Sequence, residues 1–184
     1  MAQTDTLPAA YKAPARLLHW VSAILILSTF PVGVLMVDGG FSRPIQDSLY
    51  IYHKNIGVVI LLLVVVRLIY RALNPPPPLP ASITGLQRLA AEGTHLLLYV
   101  LLLVMVISGY VRVRAGGFPI EYLDAIGFPH LVPRNEAVAN TAKAIHGTAR
   151  FALALLILAH IGAAALHGII KKDGVFSRMW PRRA

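Results

Sequence analysis

The chain has 184 residues, 57% of them hydrophobic and only 14% charged, with a mean hydropathy of +0.66. Few soluble domains reach that hydropathy, so composition points first to a membrane protein, and the absence of cysteine removes disulfides, thiolate metal sites, iron–sulfur clusters and covalently tethered haem. The net charge of +9 is no nucleic-acid signature, because the cations gather at the ends of apolar runs, where they read as topology signals.

Four runs come close to the roughly 20 residues that span a bilayer. The first, about 17–37, carries His19 near its start and follows an N-terminus without a convincing small-residue cleavage site, so it reads as retained. The second, about 53–73, opens on His53 and contains Gly57 and Arg67. "NPPPPLPASITG" follows, a rigid connection that helices cannot enter. The third run, about 89–111, contains His95. A longer Gly- and Pro-rich loop, with His130, leads to the fourth, about 144–170, which carries His146, His160 and His167. With no repeat and no separate soluble region, residues 1–184 read as one all-α domain, an integral membrane four-helix bundle.

Counting Lys and Arg orients it. Lys12, Arg16, Arg67, Arg71, Arg88, Lys171, Lys172, Arg178, Arg182 and Arg183 make ten on the side of the termini; Arg43, Lys54, Arg112, Arg114, Arg134 and Lys143 make six on the other. The positive-inside rule then places both termini in the cytoplasm.

The histidines carry the chemistry. His146 and His160 are 14 residues apart, which is about 21 Å along a helix and within about 40° of one face. The fourth span thus offers one ring near each membrane surface. His53 matches the depth of His146, and His19 that of His160. Two imidazoles facing one another across a bundle suit a six-coordinate, noncovalent haem b, so the pattern predicts two haems on His19/His160 and His53/His146. Gly57 leaves room for a macrocycle, and Arg67 and Arg150 are candidate propionate partners. Arg16 and Arg71 read as snorkelling cations, and Trp20, Tyr99 and Trp180 as interfacial anchors.

Plainer readings stand beside this one. A membrane histidine is often an interhelical hydrogen-bonder, and small residues often serve close packing. Zinc is a weaker alternative, since no acidic or thiolate residue joins the pairs. A histidine-using proton or metal transporter is a rival of another class. His95 can compete with His19 as a ligand, line a quinone pocket, or bond another helix. His167, a heptad past His160, faces a ligand docked beneath the inner haem.

The segments "RLLHW", "YHKNIGVVILLLVVVRLIYR", "HLLLYVLLLVMVISGY", "IHGTARFALALLILAHIGAAALHG" and "MWPRR" resemble the bacterial cytochrome b561 family over nearly the whole chain. The resemblance implies the axial pairs His19/His160 and His53/His146, a quinone site beside the inner haem, and electron transfer from periplasmic superoxide to ubiquinone across the inner membrane. His95 and His167 become the candidate quinone residues and proton relays. Lys54, Arg112, Arg114 and Lys143 become candidates for steering an anionic substrate, unless acidic residues of the same loops neutralise them. The alternative on this scaffold is a cytochrome b subunit passing electrons between a partner dehydrogenase or hydrogenase and quinone.

Overall fold

A computed structural model describes residues 9–80 and 83–180. Four long helices run up and down: α1 (Ala13–Asp38), α2 (Arg43–Leu73), α3 (Gly85–Ala115) and α5 (Glu136–Ala165). The short α4 (Glu121–Ala125) interrupts the connection from α3 to α5, and α5 runs on through a π-helical turn, Leu166–Lys171. All four long helices are long and apolar enough to cross a membrane. Each exceeds its apolar run: α2 begins at Arg43 rather than His53, and α5 at Glu136 rather than Ala144. The added turns are polar, and local signals start them. Pro14 and Pro44 stand in the first turns of α1 and α2, where a missing N–H costs nothing. Thr84 and Gln87 form a capping box before α3, and the Asn135 side chain accepts from Val138 N–H before α5.

The helices pack in chain order, α1 on α2, α2 on α3 and α3 on α5, while α5 stands off from α1 and α2. That stand-off leaves a gap through the bundle. Midway along it, Ile60, Val64, Leu102 and Leu153 form a buried apolar layer. Leu153 lies seven residues from both His146 and His160, so the layer divides the gap into two levels. The opposite faces carry exposed Leu62, Ile69, Phe151, Leu155 and Leu158, an apolar surface matched to lipid.

The end holding both described termini is closed by Arg178. Its Nε donates to the Ala9 carbonyl at 3.1 Å, its Nη2 donates to the Pro77 carbonyl, and its guanidinium lies over the Tyr11 ring. Arg178 is 2% exposed, so a residue counted above as a topology cation is a buried clamp on three chain segments. Arg182 and Arg183 lie outside the described residues. Trp20 and Trp180 meet edge to face at 5.4 Å, and Trp20 Nε1 donates to the Met179 carbonyl at 2.9 Å, so both act within the fold.

Candidate haem-binding site

At the end of the bundle away from the termini, the rings of His53 on α2 and His146 on α5 face across the gap with centroids 6.2 Å apart. Each is held from behind in the same way. His53 Nδ1 lies 3.2 Å from the Thr29 carbonyl oxygen, and His146 Nδ1 lies 2.9 Å from that of Met105, with Ser108 Oγ at 3.3 Å. A carbonyl only accepts, so both Nδ1 atoms carry the hydrogen and both Nε2 lone pairs are free. One turn after each carbonyl stands a glycine under the ring. A Cβ on Gly33 would meet His53 Cε1 at 2.7 Å, and one on Gly109 would meet His146 Cε1 at 3.1 Å. These glycines, and the carbonyls they accompany, escaped sequence reading. The signal was a Gly deep inside an apolar stretch, in "FPVG" and "ISGY", where close approach is the usual reason for one.

A cavity of about 720 Å³ opens around this pair. Gly57, Gly147 and Arg150 line it, and a Cβ on either glycine would meet no protein atom within 4 Å. Arg150 Nε is buried without a hydrogen-bond partner, its guanidinium lies over the Phe151 ring at 4.6 Å, and among the described residues no acidic side chain is paired with it. A buried unpaired donor on a cation costs roughly 1–3 kcal/mol or more. An anionic group in the cavity would remove that cost.

At the other level His19 faces His160, again with centroids 6.2 Å apart, while His95 stands 5.6 Å from His160 on the α3 side. Arg67 Nη2 lies 3.2 Å from His19 Nδ1, and its guanidinium lies over Tyr99 at 5.4 Å from the ring centroid. Arginine only donates, so in this geometry His19 Nδ1 accepts and its Nε2 bears the hydrogen. Ligation through His19 Nε2 therefore requires Arg67 to release Nδ1.

The fit to haem can be judged from these positions. A metal–imidazole bond is about 2 Å long, so two imidazoles trans on one ion have centroids about 6 Å apart. Both pairs have that spacing. Among the described residues no three His, Asp or Glu side chains gather as a metal site, whereas facing pairs in an apolar gap match the donor set of haem.

The connection from α3 to α5 is a folded lid. Glu121 of α4 accepts from Lys54 Nζ at 2.7 Å and from Asn55 Nδ2 at 2.6 Å, and Tyr122 N–H donates to Asn55 Oδ1 at 2.8 Å. Burial raises the Glu121 carboxyl, but these donors outweigh it and hold it below its ordinary value. Arg114, 3% exposed, is bound to Asp124 at 2.6 Å, and its guanidinium holds that carboxyl low. Lys54 and Arg114 thus face carboxylates rather than solvent. Arg112 lines the cavity of His53 and His146, Lys143 is exposed, and His130 is exposed with Nε2 3.4 Å from Asp124. His167 points into the C-terminal turn, its Nδ1 2.6 Å from Asp173 Oδ2.

Facing histidines in the gap of a membrane bundle define a class, the membrane-embedded b-type cytochromes. The family description "prokaryotic cytochrome b561" matches residues 10–182. Cytochrome b561 homolog 2 of Escherichia coli (strain K12) is 34% identical over 185 residues, covering 97% of this chain and 95% of that protein. Cytochrome b561 homolog 1 of the same organism is 31% identical over 176 residues, covering 90% and 94%. The chain belongs to the prokaryotic cytochrome b561 family, membrane haem proteins of transmembrane electron transfer.

Proposed function

We propose that the chain binds two noncovalent b haems, on His53/His146 and His19/His160, and moves electrons from superoxide on the outer side to ubiquinone on the cytoplasmic side. The observation that carries the reading is the repeated 6.2 Å facing pair at two levels of one gap. His19 is preferred to His95 as the partner of His160 because its spacing equals that of the outer pair. Bound haem supplies a one-electron couple at each level.

The protein's part is positional. The Thr29 and Met105 carbonyls fix the outer tautomers, Arg150 offers its free donor to a propionate, and Arg67 does the same after leaving His19. Arg112 and Lys143 draw a small anion toward the outer level. His167, with Asp173 behind it, hands protons to the quinone, and His95 lines the quinone's side of His160. The balance is two superoxide anions losing one electron each to become dioxygen, and one quinone gaining two electrons and two protons.

The test is rapid mixing of pure oxidised protein with superoxide, following haem absorbance with and without ubiquinone. Reduction that superoxide dismutase abolishes, followed by quinone-dependent reoxidation, is the expected result. No superoxide-driven change sinks it. A second reading, in which a dehydrogenase or hydrogenase docks on the outer face, has one observation in its favour: Lys54 and Arg114 are occupied by lid carboxylates. Co-purification of such a partner would favour it.

A further inference from the structure

The lid contains a second hollow, of about 580 Å³, between the end of α3, α4 and the loop before α5. Phe118 is a wall common to it and the histidine cavity, but no histidine of the two pairs lines it. Its charged groups are Arg114, Arg134, Asp124 and His130.

Arg114 is the unusual member. It is buried, and only Nη2 is occupied, by Asp124; Nε and Nη1 are buried with no hydrogen-bond partner. The neighbouring Tyr110 hydroxyl supports the Arg114 charge from nearby and accepts from Leu131 N–H at 3.4 Å. If fixing the lid were this arginine's whole task, the contact with Asp124 would suffice, and the N–H groups of two nitrogens would remain desolvated and unpaired. Arg134 adds a second guanidinium on the exposed rim. It lies against Gly117, where a Cβ would meet Arg134 Cδ and Nε at 3.2 Å, and the positive φ of +78° at Gly117 already favours glycine. Two arginines against one carboxylate leave the hollow positive before His130 is counted, and the other carboxylate of α4, Glu121, is bound to Lys54 and Asn55.

We infer that this hollow is an oxyanion site of the phosphate class. Arg114 supplies buried donors, and Arg134 closes over the ligand from the rim. Arginine forks match phosphate oxygens in charge and geometry. Free phosphate and the phosphodiester of an anionic lipid headgroup share this chemistry. The inference is independent of the electron-transfer reading.

The experiment uses holoprotein in an uncharged detergent and follows thermal unfolding by tryptophan fluorescence. Inorganic phosphate is titrated in one arm and short-chain phosphatidylglycerol in the other, each against sodium chloride at matched ionic strength. A saturable rise in the unfolding midpoint is expected in at least one arm. A rise with phosphate identifies a soluble oxyanion, and a rise with the lipid alone identifies a headgroup. R134Q changes an exposed residue and should leave the ligand-free midpoint unchanged while raising the half-saturating concentration about tenfold, the weight of one charge-assisted hydrogen bond. The double variant R114Q/D124N removes both charges together and should abolish the response. No saturable rise in the wild type, or wild-type half-saturation in both variants, overturns the inference.

Discussion

His146 donates its Nδ1–H to the Met105 carbonyl at 2.9 Å, and the ring rests on Gly109, one turn further along α3. His53 has the same relationship with Thr29 and Gly33 on α1. Two helices thus present one device, a carbonyl to fix the tautomer and a glycine to admit the ring. Such outer contacts commonly orient metal-bound histidines and tune their basicity.

The device predicts graded effects. Gly33→Ala places a Cβ 2.7 Å from His53 Cε1, and Gly109→Ala places one 3.1 Å from His146 Cε1. We expect Gly33→Ala to lose most outer-level haem and Gly109→Ala to retain more of it. Gly57→Ala meets no protein atom, so the apoprotein should fold as before while haem affinity falls. Haem-to-protein ratios from pyridine haemochrome spectra, beside apoprotein circular dichroism, check this. Equal ratios in all three variants would remove the slot.

Ligand variants test the pairing directly. His53→Ala or His146→Ala should empty the outer level and spare the inner, and His19→Ala or His160→Ala should do the reverse. Each should halve the haem content. His95→Ala should keep both haems. If it instead abolishes the inner haem while His19→Ala retains it, α3 supplies the ligand.

Helix number and the two depths at which His53 faces His146 and His19 faces His160 were legible in the sequence because depth and helical phase are arithmetic on residue number. That Gly57 and Arg150 lie beside the His53/His146 pair was legible for the same reason, each being one turn from one of its histidines. What stayed hidden depends on contacts between segments far apart in the chain. Nothing local joins Asn55 to Glu121, or Arg178 to Ala9 and Pro77. That acidic residues of its own loop neutralise Arg114 was a reading the sequence offered, but which of them does so was not, since Asp124 lies beyond the turn at Gly116 and Gly117. Extra polar turns on α2 and α5 were missed because hydropathy marks the hydrocarbon crossing, not the end of hydrogen bonding.

The lid should respond to acid. Asp124, held low by Arg114, and Glu121, held low by Lys54 and Asn55 against burial, titrate below their unfolded values. A depressed carboxyl contributes stability that is present above its unfolded pKa, about 4, and is lost as pH falls through the folded value. Hydrogen exchange across residues 118–131 should therefore be slow near neutrality and accelerate below about pH 4. Asp124→Asn should already exchange fast at neutral pH and lose part of that dependence. A lid equally protected in wild type and variant would show that the ion pair does not hold it.

Opposite ends of the bundle should fail separately. His167 lies seven residues past His160 and is backed by Asp173 at 2.6 Å, so a proton passed to quinone at His167 can be replaced through the carboxylate. Burial raises the Asp173 carboxyl, but the hydrogen bonds from His167 and the Val175 N–H outweigh it and hold it below its ordinary value, which favours the ionised acceptor. With His167→Ala, superoxide should reduce the haem spectrum at the wild-type rate while ubiquinone reoxidises it about a hundredfold more slowly, the low end of what a lost general acid costs. Asp173→Asn should show a smaller defect of the same kind, since it retains the histidine and loses only its support. Charge reversal at Arg112 or Lys143 should do the opposite, slowing superoxide-driven reduction and flattening its salt dependence while sparing reoxidation. The crossed pattern matters because simple misfolding would slow both phases together. Wild-type reoxidation in His167→Ala would make this residue a packing histidine bonded to Asp173 and put the quinone elsewhere. Salt-independent reduction by superoxide would remove the steering cations and leave a docked protein as the better donor.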